Sequence, residues 1–208
     1  MKSRFLFGLA ALSLGAFASA NIVLNGDFEA PETLDASGSG YIIVPTNDST
    51  SIGGWTSGGR LGDNSVDIVS SIGLPSYPAN TGTQMIDVAG SPGPGSLYQN
   101  LVTVAAQSYT LSFAASSNGN PNTMEIYWDG ALLDTVVTPV QGTWQTFTYN
   151  VVASGTSTQL MFGSDLSNTS NFGPLLDTVS VVEIVPEPAT GAVLLMAGVS
   201  ALVRRRRK

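Results

Sequence analysis

The stretch Tyr109-Thr110-Leu111-Ser112-Phe113 alternates large apolar side chains with hydroxyl-bearing ones. Successive side chains of a β-strand point to opposite faces of a sheet, so this alternation predicts a strand with one buried face and one solvated face. In Trp128-Asp129-Gly130-Ala131, an Asp-Gly pair separates two apolar runs. Asp-Gly is typical of the tight turn of a β-hairpin. The two stretches together predict an antiparallel sheet.

Strand-like runs rich in β-branched and aromatic residues recur along most of the chain. They are predicted at residues 22–28, 41–44, 66–69, 84–88, 97–104, 109–115, 123–128, 131–137, 144–152, 159–163 and 175–184. Turn segments rich in Gly, Pro, Asn and Ser separate them, and no stretch before Ala189 has a helical period. The predicted fold class is therefore all-β, an antiparallel two-sheet sandwich formed by one domain, residues 21–185.

The predicted domain is strongly acidic. Between residues 21 and 185, Arg60 is the one basic residue against fourteen Asp and Glu, a net charge near −13. Nucleic acid and anionic lipid both require a basic face, so the composition argues against both as partners. The chain has no Cys and no His, which excludes disulfides, thiol nucleophiles, Ser-His-Asp triads and imidazole metal sites. Paired carboxylates and an oxygen-ligand metal such as calcium are the main chemistries left.

The amino terminus is typical of a secretory signal peptide. Lys2 and Arg4 precede an apolar run at residues 5–17, and Ala18-Ser19-Ala20 is a small-x-small cleavage site. An amino-terminal transmembrane helix is the alternative, but the apolar run is too short to span a bilayer. We expect residues 1–20 to be a signal peptide, helical in its apolar part, that directs export across the inner membrane.

The carboxyl terminus, residues 186–208, has three parts in order. Pro186-Glu187-Pro188 is followed by an uncharged stretch at residues 189–203 and then by the cations Arg204, Arg205, Arg206, Arg207 and Lys208. As a hydrophobic helix the uncharged stretch spans ~22 Å, short of a hydrocarbon core of ~30 Å. The cations favour a cytoplasmic end. Pro186 and Pro188 keep the first part extended and outside that helix.

This order closely resembles the PEP-CTERM sorting signal of Gram-negative bacteria. The resemblance implies transient insertion in the inner membrane, processing by the membrane protease exosortase, and a final location at the cell surface or in the extracellular matrix. An ordinary short tail anchor and a disordered basic tail are the alternatives.

Short motifs in the central domain resemble those of DUF642-like domains, and more specifically the choice-of-anchor C group. They are Asn25-Gly26-Asp27-Phe28-Glu29, Gly54-Trp55, Met85-Ile86-Asp87, Leu97-Tyr98-Gln99, Tyr109-Thr110-Leu111-Ser112-Phe113 and the run from Gly173 to Val181. Such domains are similar to galactose-binding-like jelly rolls and to carbohydrate-binding modules. The resemblance implies a jelly-roll sandwich that binds extracellular polysaccharide.

Glu29 and Asp177 are a candidate calcium site. In jelly rolls of this type the first and last strands pair antiparallel, which would bring the two carboxylates together. Close carboxylates repel each other unless a cation lies between them, and calcium binds carboxylate and carbonyl oxygens. Related carbohydrate-binding modules carry a structural calcium near the matching positions. Alternatively, Glu29 merely ends a strand and Asp177 merely begins a turn.

Tyr77 and Trp128 are candidate sugar-binding aromatics. Aromatic rings stack on the apolar faces of pyranoses while polar neighbours bind the hydroxyls. Tyr77 lies in an irregular Pro-rich loop and Trp128 at a hairpin corner, whereas Trp55, Tyr98 and Trp144 occupy positions more typical of a core.

Three functions remain open at this point. A polysaccharide-binding module is favoured, a matrix protein without a discrete ligand site is the first alternative, and a glycoside hydrolase that uses two carboxylates is the second. No pair of carboxylates stands out as an acid and a nucleophile, so we predict no enzymatic activity and no catalytic residue.

Overall fold

Eleven strands and no helix make up the described part of the chain. The computed structural model describes residues 19–32, 40–60, 64–168 and 170–185. The strands are β1 (Tyr41–Val44), β2 (Thr56–Gly59), β3 (Val66–Ser70), β4 (Gln84–Asp87), β5 (Gly95–Val102), β6 (Ser108–Ser117), β7 (Thr123–Trp128), β8 (Ala131–Val137), β9 (Gln145–Val152), β10 (Ser157–Ser164) and β11 (Pro174–Glu183).

The strands form two antiparallel sheets. One has six strands in the order β1-β3-β4-β11-β6-β9, and the other has five in the order β2-β5-β10-β7-β8. β11, the last strand of the described residues, lies between β4 and β6 in the middle of the six-stranded sheet. The predicted all-β, two-sheet jelly-roll sandwich is confirmed.

The core fills the space between the sheets. Leu111 and Phe113 of β6 are fully buried, whereas the alternating hydroxyl residues Thr110 and Ser112 are half-buried, as the pattern predicts. The Phe113 ring packs edge-on against Phe162 of the five-stranded sheet, with centroids 5.0 Å apart, and Phe162 contacts Trp55 at 6.3 Å. These aromatic contacts join the two sheets.

A smaller apolar cluster lies on the outer face of the six-stranded sheet. Val69, Met85 and Leu175 are buried there, apart from the main core. Residues 71–83, which we call the covering loop, pack over them with Leu74, Tyr77 and Ala79, assisted by Trp144. The covering loop therefore makes this outer face of the sandwich partly apolar and uneven.

The hairpin predicted at Asp129-Gly130 is present between β7 and β8. Both residues have positive φ, 54° and 78°, as a tight type I′ turn requires. The short strand β2 was not predicted, because Thr56-Ser57-Gly58-Gly59 carries no apolar side chain. Pairing with β5 keeps it extended.

The predicted first strand, residues 22–28, is not a regular strand. Only an isolated antiparallel bridge joins Asn21 to Val182, and a turn follows in which Asn25 and Phe28 have positive φ. The antiparallel approach to β11 nevertheless holds, because the Val179 amide donates to the Gly26 carbonyl at 2.7 Å. A β-bulge in β11 between Asp177 and Ser180 accompanies this contact.

The two termini fall outside the described residues. The signal peptide predicted at residues 1–20 lies almost wholly there, and so does the sorting segment at residues 186–208. The described residues include no helix with the length and apolar character needed to cross a bilayer.

Candidate functional site

Two carboxylates lie side by side on the outer face of the six-stranded sheet. Asp67 of β3 is directly opposite Asp87 of β4, and both are almost completely buried. Asp67 accepts hydrogen bonds from the amide and hydroxyl of Ser91, at 3.0 and 2.8 Å. Burial raises the pKa of both carboxyls, that of Asp87 to about 6, although their hydrogen bonds oppose the shift.

Asn118 lies directly above Asp87. Its Nδ2 donates to Asp87 Oδ2 at 2.6 Å, and the amides of Ala89 and Gly173 also donate to this carboxylate. The hydrogen bond fixes the orientation of the amide, so its Oδ1 faces away from Asp87. That Oδ1 is buried and has no hydrogen-bond partner among the described residues. Buried acceptors are rarely left unpaired, so this atom is suited to bind a hydroxyl group.

Asn118 joins two adjoining cavities of about 260 and 440 Å³, which we call the loop groove. Both are lined by Tyr77, Asn118 and Phe172. The first is completed by Tyr41, Asp67, Val69, Leu74, Ser91 and Asn171, and the second by Gly119, Asn120, Asn122, Asn168 and Ser170. The loop groove therefore combines aromatic rings with a high density of amide side chains.

The aromatic walls come from three separate segments. Tyr41 begins β1, Tyr77 lies in the covering loop, and Phe172 precedes β11. Phe172 is 57% exposed, which is high for a phenylalanine. Tyr77 is half-buried and held by its backbone hydrogen bond to Leu74 and by the apolar cluster beneath it. An exposed ring beside polar groups is the usual arrangement for contacts with pyranose rings.

Of the two aromatic residues singled out in the sequence, only Tyr77 lies in the loop groove. Trp128 is 7% exposed and belongs to the main core. Its Nε1 donates to the Val152 carbonyl at 2.8 Å, and its ring packs against Tyr109. We therefore remove Trp128 from the candidate ligand-binding residues. Trp128 is the sixth residue of β7, and the alternating residues of this strand, Met124, Ile126 and Trp128, face the core. Its place beside the hairpin turn predicts exposure only if this alternation is ignored.

Glu29 and Asp177 both hold the end of the covering loop. Glu29 accepts hydrogen bonds from the amides of Thr83 and Gln84, at 2.8 and 2.7 Å, and from the Thr83 hydroxyl at 2.9 Å. Asp177 accepts from the amides of Asn80 and Thr81, at 2.9 and 3.0 Å. Burial raises the pKa of Asp177 to about 6 against these donors. The two carboxylates fasten the covering loop to the ends of the domain.

This donor set does not fit a calcium ion. Every carboxylate oxygen of Glu29 and Asp177 accepts at least one hydrogen bond, mostly from N–H groups that cannot be metal ligands. Within the described ranges no group of three or more His, Cys, Asp or Glu side chains could hold a metal ion. Calcium at Glu29 and Asp177 stays a prediction, and binding there would require these hydrogen bonds to rearrange.

The remaining site residues predicted from the sequence form the sorting signal. Pro186, Glu187, Pro188 and the arginines at 204–207 lie outside the described residues.

Sequence reasoning missed Asp67, Asp87, Asn118 and Phe172. A signal for the first two was present, because each interrupts an apolar strand, as in Val66-Asp67-Ile68-Val69. A charged residue at the outward position of such a strand indicates a polar feature on that face. Nothing local marks Asn118 or Phe172, since each lies in a loop whose position depends on the fold.

Residues 21–182 match the family described as a protein of unknown function, DUF642. The chain belongs to the DUF642 family. This match spans the whole sandwich, from the first bridge to β11. No curated protein sequence matches the chain.

Among solved structures, the DUF642 domain is similar to carbohydrate-binding modules. A family 61 module in complex with β-1,4-galactotriose aligns with a TM-score of 0.54 and 15% identity, over 80% of this chain and all of the module. A family 4 module aligns at 0.49 and 19% identity, over 78% of this chain and 99% of that one. A family 35 module from Clostridium thermocellum aligns at 0.46 and 14% identity, over 68% and 96%. At 15% identity, the likeness to the family 61 module shows the fold alone.

Proposed function

We propose that this DUF642 domain binds polysaccharide in the loop groove. The observation that carries the proposal is the position of Asn118, which lines both cavities together with Tyr77 and Phe172 and whose buried Oδ1 has no hydrogen-bond partner among the described residues. The rings can stack on pyranose faces while Asn118 accepts a hydrogen bond from a sugar hydroxyl. The likeness in fold to the galactotriose-binding module supports this class of ligand.

A neutral glycan fits the groove better than an anionic one. Asp67 lines the floor, and the sequence from residue 21 to 185 carries one cation against fourteen carboxylates. Uronic acids and sulfated sugars would be repelled by this field. Neutral hydroxyls can donate to the carboxylate and to the asparagine carbonyl groups instead.

Calorimetric titration tests the proposal, with β-1,4-galactotriose as the first probe and a panel of neutral oligosaccharides after it. Tyr77→Ala and Phe172→Ala should each weaken binding roughly tenfold, about 1.4 kcal/mol, because each removes one stacking surface. Val152→Ala is the matched control, since Val152 is exposed on β9 and does not line the groove. Full affinity in both aromatic variants would exclude the groove, and a panel without any binding would favour a matrix protein that has no ligand site.

We also propose that the domain binds without hydrolysing its ligand. Asp67 and Asp87 are adjacent carboxyls, but burial raises the pKa of both, whereas a glycosidase pair needs one protonated acid and one ionised carboxylate. Asp87, moreover, is 1% exposed, and its oxygens are used by Asn118, Ala89 and Gly173, so it cannot reach a glycosidic bond. Reducing sugar released from a bound polysaccharide, and lost in Asp67→Asn, would overturn this.

We further propose that the protein is exported, inserted transiently in the inner membrane and processed by an exosortase. The support is the order of parts at the carboxyl terminus, Pro186-Glu187-Pro188, uncharged stretch and basic end, together with the signal peptide predicted at residues 1–20. Mass spectrometry of the mature protein tests this proposal. A carboxyl terminus lacking residues 204–208 is expected, and an intact one would leave a membrane-anchored protein.

A further inference from the structure

A row of outward-facing side chains crosses the five-stranded sheet on its outer face. The strand registers place Tyr98 of β5, Met161 of β10 and Tyr127 of β7 side by side, with Thr56 and Leu132 at the two ends. Leu132 is exposed and the other four are half-buried, and the residues on either side of Thr56, Tyr98, Tyr127 and Met161 along their strands are buried. We call these five residues the tyrosine row. It lies on the opposite face of the sandwich from the loop groove.

The ring of Tyr127 is held in place. Its hydroxyl donates to Glu125 Oε2 at 2.6 Å, two residues earlier on the same strand, so the ring leans along the sheet. Arg60 binds the same Glu125 oxygen at 2.5 Å, and its guanidinium carbon lies 5.5 Å from the centre of the Tyr127 ring. The guanidinium is pressed against Gly163, where any side chain would collide with it. Arg60 thus helps to fix the position of the Tyr127 ring.

Tyr98 leans in the same direction. A Cβ placed on Gly58 would lie 3.9 Å from Tyr98 Cε1, so the ring extends beside a residue without a side chain. Two strand spacings separate Tyr98 from Tyr127, a distance of about 10 Å. That separation exceeds the width of one pyranose ring, so each tyrosine can contact a different sugar of the same chain.

Polar groups flank the row on both sides. Asn100 and Gln159 pair across the next position of β5 and β10, with Gln159 Nε2 3.4 Å from Asn100 Oδ1. Glu125 and Arg60 lie on the other side. An aromatic row between amides and a neutralised ion pair can satisfy both the apolar faces and the hydroxyls of a sugar chain.

We propose that the tyrosine row is a second polysaccharide-binding surface. It binds internal sugar units of a neutral, extended glycan chain that lies across the strands. Because Arg60 is paired with Glu125 and the domain is acidic, the surface has no free positive charge to attract an anionic polymer. The inference rests on the proposed function, since it assigns the same class of ligand to another face.

Two sites on opposite faces would let one protein molecule bridge two polysaccharide chains. A protein with one site can bind a polysaccharide but cannot cross-link it. Cross-linking is therefore a readout of the second site that binding to the loop groove alone would not produce.

The test mixes the full chain with soluble β-1,4-galactan, and with other neutral polysaccharides in turn. Binding is measured as depletion of free protein from solution, and cross-linking is measured as an increase in light scattering. The wild type should bind and raise the scattering, whereas Tyr98→Ala/Tyr127→Ala should still bind but lose most of the increase in scattering. Tyr98→Phe/Tyr127→Phe keeps the rings and should retain most of it. Val102→Ala, on the same strand and face but outside the row, is the matched control. Circular dichroism and melting establish that each variant is folded.

The outcomes separate the two proposals. Wild-type scattering in the folded double alanine variant overturns the tyrosine row and leaves the loop groove intact. Binding that survives in Tyr77→Ala/Phe172→Ala but vanishes when the tyrosines are also replaced supports the row and overturns the groove. No binding to any polysaccharide overturns both. Sedimentation of the protein alone that shows a dimer lost in Tyr98→Ala/Tyr127→Ala would assign the surface to a second copy instead, and so overturn the row as a glycan site.

Discussion

At the scale of single residues, the loop groove depends on a polar side chain that serves two purposes. Asn118 donates one hydrogen bond from its Nδ2 to the buried Asp87, and it also lines the groove, where its Oδ1 is buried without a partner among the described residues. A carboxylate below a binding site would otherwise compete with the ligand for donors. Asp87 instead accepts hydrogen bonds from three N–H groups of the protein and so orients Asn118. The residue is thus part of both the structural support and the binding surface.

Replacing Asn118 should therefore affect stability as well as binding. Asn118→Ala leaves a buried carboxylate oxygen of Asp87 with one donor fewer, and we expect the free energy of unfolding to fall by about 1–3 kcal/mol. Urea denaturation monitored by tryptophan fluorescence measures this. Asn120→Ala is the matched control, because Asn120 also lines the groove but is exposed, and it should change stability by less than about 0.5 kcal/mol. Equal stabilities for the two variants would show that the bond to Asp87 contributes nothing.

At the scale of elements, the covering loop is fixed from outside itself. Glu29 near the start of the domain and Asp177 in β11 bind the backbone of residues 80–84. Tyr77, which lines the groove, lies in the same loop. The two carboxylates therefore position a wall of the groove without contacting a ligand.

Loss of Glu29 should release the covering loop. Glu29→Ala removes three hydrogen bonds, and we expect a loss of roughly 1.5–3 kcal/mol together with faster proteolysis within residues 71–83. Glu32→Ala is the control, since Glu32 is exposed. Proteolysis rates identical to those of the wild type would contradict the assigned role.

Chelation distinguishes the same arrangement from a calcium site. Because N–H donors already satisfy Glu29 and Asp177, we expect EDTA to leave the melting temperature of the protein unchanged. A fall in the melting temperature that added calcium reverses, and that is absent in Glu29→Ala, would establish the metal predicted from the sequence.

At the scale of the whole molecule, the buried carboxyls make stability depend on pH. The pKa values of Asp87 and Asp177 are raised to about 6 in the folded protein, because burial disfavours the charged form. The folded state then binds protons more tightly than the unfolded chain. The stability that these groups contribute is full below about pH 4, where both states are protonated, and is lost as the pH rises to about 6.

We therefore expect the melting temperature to be several degrees higher at pH 5 than at pH 7.5. The lowered pKa values of Asp48 and Asp165 act in the opposite direction, but both are half-buried loop carboxylates whose pKa is lowered mainly by hydrogen bonds from residues two or three positions further along the chain. Asp87→Asn should reduce the difference, because it removes one of the carboxyls whose pKa burial raises. Differential scanning calorimetry at the two pH values checks this, and a melting temperature that rises towards pH 7.5 would refute it.

The sequence by itself determined the fold class, because hydrophobic alternation is a local property. Tyr109-Thr110-Leu111-Ser112-Phe113 and Asp129-Gly130 predict a strand and a hairpin wherever they occur, and both are found. It also gave the acidic charge and the absence of Cys and His, which limit the chemistry before any fold is known. Tyr77 could be predicted as a candidate ligand-binding residue because an aromatic residue in a Pro-rich loop is visible in the local sequence.

Only the tertiary structure decided which residues meet. Asp67 and Asp87 come together through strand register, and Asn118 and Phe172 reach the same groove from loops far apart in the chain. Tyr98 and Tyr127 share a face because β10 lies between their strands. Trp128 is buried because its position in β7 points inward, which a hairpin signal does not specify. Such contacts depend on pairing between distant segments, and no local pattern in the sequence encodes that pairing.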